Sequence, residues 1–124
     1  MTINDPEVIA ELRELYPQYE HALVTNDVEK LGKMFWADSR AMRFGATENL
    51  YGHKEITEFR KSRPAANLTR TIIRLDIVTF GKDFGSITLE FERGAQRGRQ
   101  SQTWVRFPQG WRIVAAHVSL ISSL

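Results

Sequence analysis

The hydrophobic period of this chain changes once, at Leu68, and that change constrains the fold more than any other feature. Before it, Val8, Leu12, Leu15, Tyr19 and Leu23 recur at helical spacing and form one apolar stripe. After it, β-branched and apolar residues fill four runs, 69–80, 84–93, 99–107 and 111–121. Short Gly-containing turns separate the runs: Gly81-Lys82-Asp83, Gly94 to Gly98, and Pro108-Gln109-Gly110. Four strands joined by three short turns predict an antiparallel meander. Helices segregated from such a sheet predict an α+β architecture. Strands this long must twist, which makes one face concave. The helices bury their stripe against that face, and the space left incompletely filled is the expected ligand site.

The first half carries its own punctuation. Asp5-Pro6 is an N-cap followed by Pro at the first helical position. Pro17 lacks the N–H that would reach the Arg13 carbonyl, so a kink is expected there. Asn26-Asp27 ends this helix, and Asp27 caps a short second one through Leu31, Met34, Phe35 and Trp36. Arg40 to Phe44 reads as a strand, Gly45-Ala46-Thr47 as its turn, and Glu48 to Tyr51 as the return. Gly52 then leads a third helix, carrying Ile56 and Phe59, that ends before Pro64.

A length of 124 residues predicts one domain over 1–124. A chain of this size buries roughly two-thirds of its unfolded surface, enough for a core without crosslinks. There are no cysteines, which excludes disulfides, thiolate nucleophiles and Cys-ligated zinc. No apolar run approaches the roughly 20 residues of a membrane span, and no signal peptide is apparent at the N-terminus. A cytoplasmic location without membrane contact is the resulting expectation. The 17 basic and 15 acidic residues nearly cancel but are unevenly placed. Arg93, Arg97, Arg99, Arg106 and Arg112 occupy a stretch free of acids. They read either as a solvated sheet face or as anion ligands. Because they alternate along strands instead of forming an aromatic-interleaved patch, nucleic acid is not the expected partner.

Individual residues leave alternatives open. Tyr19 lies on the core stripe, so its phenol is either a core tyrosine with a structural hydrogen bond or a proton donor in a dry pocket. Strand parity puts Arg43 opposite Met42 and Phe44, as a surface arginine or as a bidentate carboxylate partner. His117 shares a strand face with Trp111, Ile113 and Ala115, either in the core or beside a ligand. Arg99, Ser101 and Thr103 share one face, and Gln100, Gln102, Trp104 and Arg106 the other. The first set is a candidate pocket lining and the second a candidate dimer face, although parity alone does not identify the concave side. Whether Arg70, Arg74, Glu48 and Asn49 reach the pocket is likewise open. The three histidines show no metal-ligand spacing, and no phosphate loop, H-E-x-x-H or G-x-S-x-G motif is present. The expected site therefore holds neither metal nor cofactor.

Three stretches carry a family resemblance: YEHAL at 19–23 with Asn26-Asp27; RFGATENLYGH at 43–53; and GRQSQTWVRFPQGWRIVAAHVS at 98–119. Together with the element order they resemble the AtzH-like family, which includes proteins labelled oxalurate catabolism protein HpxZ. That family lies within the nuclear transport factor 2-like (SnoaL-like) superfamily. The resemblance implies a cone-shaped fold and a hydrolase role in ureido or carboxy-amide nitrogen catabolism, beside an amidase partner. The activity it implies is a decarboxylating amidohydrolase acting on 1,3-dicarboxyurea. Its functional tyrosine and arginine match Tyr19 and Arg43. The last stretch also resembles the association domain of calmodulin-dependent protein kinase II, which implies Arg99 and His117 as pocket residues. Ketosteroid isomerases are a poorer match, with only Asp76 as a stand-in for their carboxylate base. The candidate site is thus Tyr19 and Arg43 as catalytic residues, with Arg70, Arg99, Ser101 and His117 binding a small carboxylate or ureido substrate. The rival reading is a non-catalytic, carboxylate-binding accessory subunit of an amidase. Under either reading a homodimer is expected, through a convex face bearing Trp104 or Phe107.

Overall fold

A computed structural model describes residues 1–64 and 68–121. Helix α1 runs Pro6–Val24, α2 Val28–Met34 and α3 Gly52–Ser62. Strands β1 (Met42–Phe44) and β2 (Asn49–Tyr51) form a hairpin before α3. The later strands are β3 (Thr71–Phe80), β4 (Phe84–Arg93), β5 (Gln96–Phe107) and β6 (Gly110–Ile121). The six strands form one sheet ordered β2-β1-β6-β5-β4-β3. The meander is antiparallel throughout, and β1 joins it by pairing parallel to β6, Arg43 opposite Ala116.

The caps act as their residue types require. The Asp5 carboxylate accepts from the Glu7 amide at 3.0 Å, and Asp27 accepts from the Lys30 amide at 3.1 Å. The helix passes through Pro17 without ending, because Pro17 is on the exposed side and the buried stripe holds the helix on both flanks. That stripe is Val8, Leu12, Tyr16, Tyr19, Ala22 and Leu23. Leu15, expected on it, is only partly buried. Against it the sheet places Ile87, Leu89 and Phe91 of β4, Trp104 of β5 and Ile113 of β6.

Gln100, Gln102 and Trp104 are at most 2% exposed, so they belong to the helix-covered face. Arg99, Ser101 and Thr103 therefore project to the outer face. This corrects the expectation that Trp104 lies on an exposed convex surface. Phe107 is half-buried and stacked on Trp36 at 5.7 Å between centroids. β5 begins at Gln96, two residues after Gly94, instead of at Arg99. Gly98 lies inside the strand opposite Phe91, and the position calls for glycine because a Cβ there would collide with the Phe91 ring. A bulge changes the parity of β6. Trp104 pairs with Ile113 and Thr103 with Ala115, so Val114 is an extra residue. Trp111, Ile113 and Ala116 are buried while His117 is exposed, on the face opposite to the one that unbroken alternation predicts. No helix of the described residues is long and apolar enough to cross a membrane.

Candidate functional site

Arg43 is central in a three-residue strand, 5% exposed, with its side chain on the helix-covered face while Met42 beside it is exposed. It opens into a recess of about 260 Å³ between α1, α3, the β1–β2 hairpin and the sheet. That is below the roughly 300–1,000 Å³ of common small-molecule clefts, so the recess suits a compact ligand. Its wall includes four arginines: Arg43, Arg63 at the end of α3, Arg70 before β3, and Arg93 at the end of β4. Two phenylalanine rings carry them in pairs. Arg70 and Arg93 lie 4.3 and 5.6 Å from the Phe91 centroid, and Arg43 and Arg63 lie 5.4 and 6.0 Å from that of Phe59. An aromatic face stabilises a guanidinium at this range while leaving its N–H edge free for an anion. The close approach allowed by Gly98 seats the Phe91 ring, so a glycine in β5 indirectly positions two of the four charges.

Two carboxylates balance part of this field. Glu20 takes Arg70 in a two-point contact, Nε to Oε2 and Nη2 to Oε1, both 2.8 Å. The Arg70 side chain is 2% exposed, and Nη2 also donates to the Gln100 side-chain oxygen at 2.9 Å. Tyr16 completes the cluster, donating to Glu20 at 2.9 Å and accepting from the Gln100 amide at 3.0 Å. Burial, then the Glu20 charge, pushes the Tyr16 phenol well above its ordinary pKa. Arg70 is held above its ordinary value because the Glu20 hydrogen bond and charge outweigh the opposing effect of burial. The second carboxylate, Glu48, accepts from Arg43 Nη1 at 3.1 Å. Burial raises its pKa, but hydrogen bonds from Thr47 and Arg43 outweigh that and leave it below the usual carboxylate value.

Arg60 lies 1% exposed, with no carboxylate partner among the described residues. Its Nη2 donates to the Tyr19 hydroxyl at 3.3 Å, while Nε and Nη1 have no hydrogen-bond partner among the described residues. Burial, reinforced by the charges of Arg43 and Arg63, lowers its pKa to about 10. Arg63 and Arg93 are lowered too, by burial first and then by neighbouring arginines. Mutual repulsion of this kind makes the recess a strong attractor for a small anion. Tyr19 itself is 2% exposed, and like its partner Arg60 it is packed behind the recess wall and does not line it.

The structure thus brings Arg43 and Arg70 together, with Tyr19 adjoining, and separates them from the other three expected residues. Arg99, Ser101 and His117 line a different depression, of about 520 Å³, on the outer face with Arg74, Asp76 and Glu90. Ser101 pairs with His117 across the strands, Arg99 donates to the Ser119 hydroxyl at 3.2 Å, and the His117 ring packs edge-on to Phe44. Of the residues left open, Glu48 reaches the inner recess and Arg74 lies on the outer face. Arg60, Arg63, Phe59 and Phe91 were not singled out for the site. The available signal was Arg60 and Arg63 three apart on one helix, and Phe91 and Arg93 two apart on one strand. Among the described residues no group of three or more His, Asp or Glu side chains converges as a metal site.

Helices laid on a curved six-stranded sheet around a small polar recess define the nuclear transport factor 2-like fold, also called cystatin-like. A superfamily protein from Salmonella enterica shares it at a TM-score of 0.79, with 19% identity over 95% of this chain and 94% of that one. The AtzH-like family model matches residues 1–123, and the chain belongs to the AtzH-like family. A protein of unknown function from Pectobacterium atrosepticum is 48% identical over 97% of this chain and 95% of its own, at a TM-score of 0.94. A cystatin-like fold protein from Burkholderia xenovorans is 38% identical over 100% and 99%, also at 0.94. No curated protein matches the chain.

Proposed function

We propose that the recess binds a small dicarboxylated ureido or amide compound and that the protein removes CO2 from it, as the resemblance to a hydrolase of 1,3-dicarboxyurea implies. The observation that carries this reading is the set of four guanidinium groups facing one small cavity, with Glu48 as the single carboxylate among the described residues of its wall. Such a site matches a compact dianion. In the reaction a proton is added to the nitrogen that bears the departing carboxylate. The C–N bonding pair goes to that nitrogen, CO2 leaves, and a monocarboxylated urea remains. The departing carboxylate loses its negative charge, so gripping it with arginine opposes the step. Arginine assists at the retained carboxylate or at the carbonyl where charge develops, which is the role assigned to Arg43. The Tyr19 hydroxyl accepts from Arg60, which leaves its own proton free to be given. The setting is the cytoplasm, beside an amidase that supplies the carboxylated amide.

Purified protein incubated with 1,3-dicarboxyurea is expected to release bicarbonate. A Tyr19→Phe, Arg43→Ala double variant is expected to lose about 10²-fold or more of that rate, the usual worth of a positioned proton donor. Equal rates in the two proteins reject the assignment. The burial of Tyr19 behind the wall favours a second reading, a carboxylate-binding subunit of an amidase without turnover of its own. Malonate binding without bicarbonate release, together with co-purification of an amidase, would select it.

A further inference from the structure

We propose that Glu48 is an internal competitor: its carboxylate occupies Arg43 in the free protein, and a substrate carboxylate takes its place. The inference rests on reading the recess as a carboxylate site and identifies which position the ligand enters. Glu48 lies five residues beyond Arg43, across the turn of the β1–β2 hairpin, and its side chain folds back over that turn. Oε1 accepts from Arg43 Nη1 at 3.1 Å, while Oε2 accepts from the Thr47 hydroxyl at 2.6 Å and the Thr47 amide at 3.3 Å. The fold-back requires Gly45, because a Cβ there would collide with the Glu48 carboxylate.

The two ion pairs of the recess are built differently. Arg70 grips Glu20 through two nitrogen–oxygen contacts, tied into Tyr16 and Gln100. Arg43 meets Glu48 through one, and the Glu48 side chain is 22% exposed at the rim. A one-point contact at a wet rim exchanges readily, whereas a buried two-point contact does not. Arg43 is also the less exposed partner, at 6% of its side chain, so it stays fixed while Glu48 swings out. A ligand carboxylate reproducing the Glu48 position on Arg43 can place a second one toward Arg63 and Arg93. Neither of those has a carboxylate partner among the described residues, and Arg93 Nε is buried without any partner. The substrate class that follows is a short dicarboxylate, one group replacing Glu48 and the other meeting unneutralised guanidinium.

Calorimetric titration with malonate tests this in wild-type protein and in Glu48→Gln. The amide keeps the shape and the contact with Thr47 but surrenders the charge. Malonate is expected to bind the variant about tenfold more tightly, the worth of one charge-assisted hydrogen bond no longer broken on entry. Wild-type binding with equal or weaker affinity in the variant overturns the proposal, since Glu48 would then be a clamp that orients Arg43. Failure of malonate to bind wild type rejects instead the carboxylate reading of the recess. If Glu48→Gln does not fold, Gly45→Ala, which keeps every charge and pushes the carboxylate aside, carries the same test. A malonate affinity at or below wild type in that variant overturns the proposal equally.

Discussion

Tyr16 and Tyr19 stand three residues apart on α1, rings 5.8 Å apart, yet they join different networks. Among the described residues the Tyr19 hydroxyl hydrogen-bonds with Arg60 alone, whereas that of Tyr16 links Glu20, Gln100 and Arg70. Removing the Tyr16 hydroxyl by Tyr16→Phe leaves part of that cluster unpaired, at a cost of about 1–3 kcal/mol near neutral pH. Its pH dependence has a definite sign. The folded pKa of Tyr16 is raised, while the unfolded chain ionises near the ordinary value of about 10. The contribution is therefore complete below about pH 10 and is lost as pH rises above it. Urea midpoints measured from pH 8 to 11 are expected to fall more steeply for wild type than for Tyr16→Phe; parallel curves would refute this. The inward aim of Tyr19 was legible from helical spacing. Tyr16 was not, because a helix lying in a concave sheet buries a wider arc than one narrow stripe. A single arginine in sequence looks like surface, and only the fold shows Arg60, Arg63 and Arg93 converging.

Elements set the site through their ends. α3 carries Arg60 and Arg63 in and just after its last turn, and both backbone carbonyls accept from one distant side chain. Asn26 Nδ2 donates to the Arg60 carbonyl at 3.1 Å and to that of Arg63 at 3.3 Å. Asn26 also adopts φ 49°, which asparagine and glycine tolerate best. Asn26→Gly keeps that backbone and deletes only the two bonds. Thermal or urea unfolding is expected to show a loss of about 1–2 kcal/mol, and malonate binding should weaken as Arg63 loses its anchor. A stability loss with unchanged malonate affinity would show that Arg63 is positioned by other contacts. The strand order of the meander and the hairpin before α3 were readable from turn residues and alternation. The Val114 bulge was not, since no local residue type marks it, and one extra residue suffices to move His117 to the other face. Its expected face rested on unbroken parity, which the bulge breaks, and its expected place in the pocket on the resemblance to the kinase association domain.

Across the whole molecule, the formal charge of +2 conceals a separation of sign. The acids of α1 outnumber its bases, while the recess gathers guanidinium groups on two aromatic shelves. Sequence alone could count the arginines but not choose the concave side, because alternation gives two faces and only helix packing decides between them. The consequence is a small, partly buried cationic target with four guanidinium groups in its wall. Long-range attraction to such a site is screened by salt, whereas contacts inside it are screened much less. Raising ionic strength from about 0.01 to 0.15 M shortens the Debye length from about 30 to 8 Å. Malonate affinity is therefore expected to fall several-fold over that range, and propionate affinity, with half the charge, by a smaller factor. The measurement is calorimetric titration in a salt whose ions do not compete for the recess. Equal salt slopes for the two acids would mean that the ligand senses only one arginine at a time, and the recess would then not act as a single field.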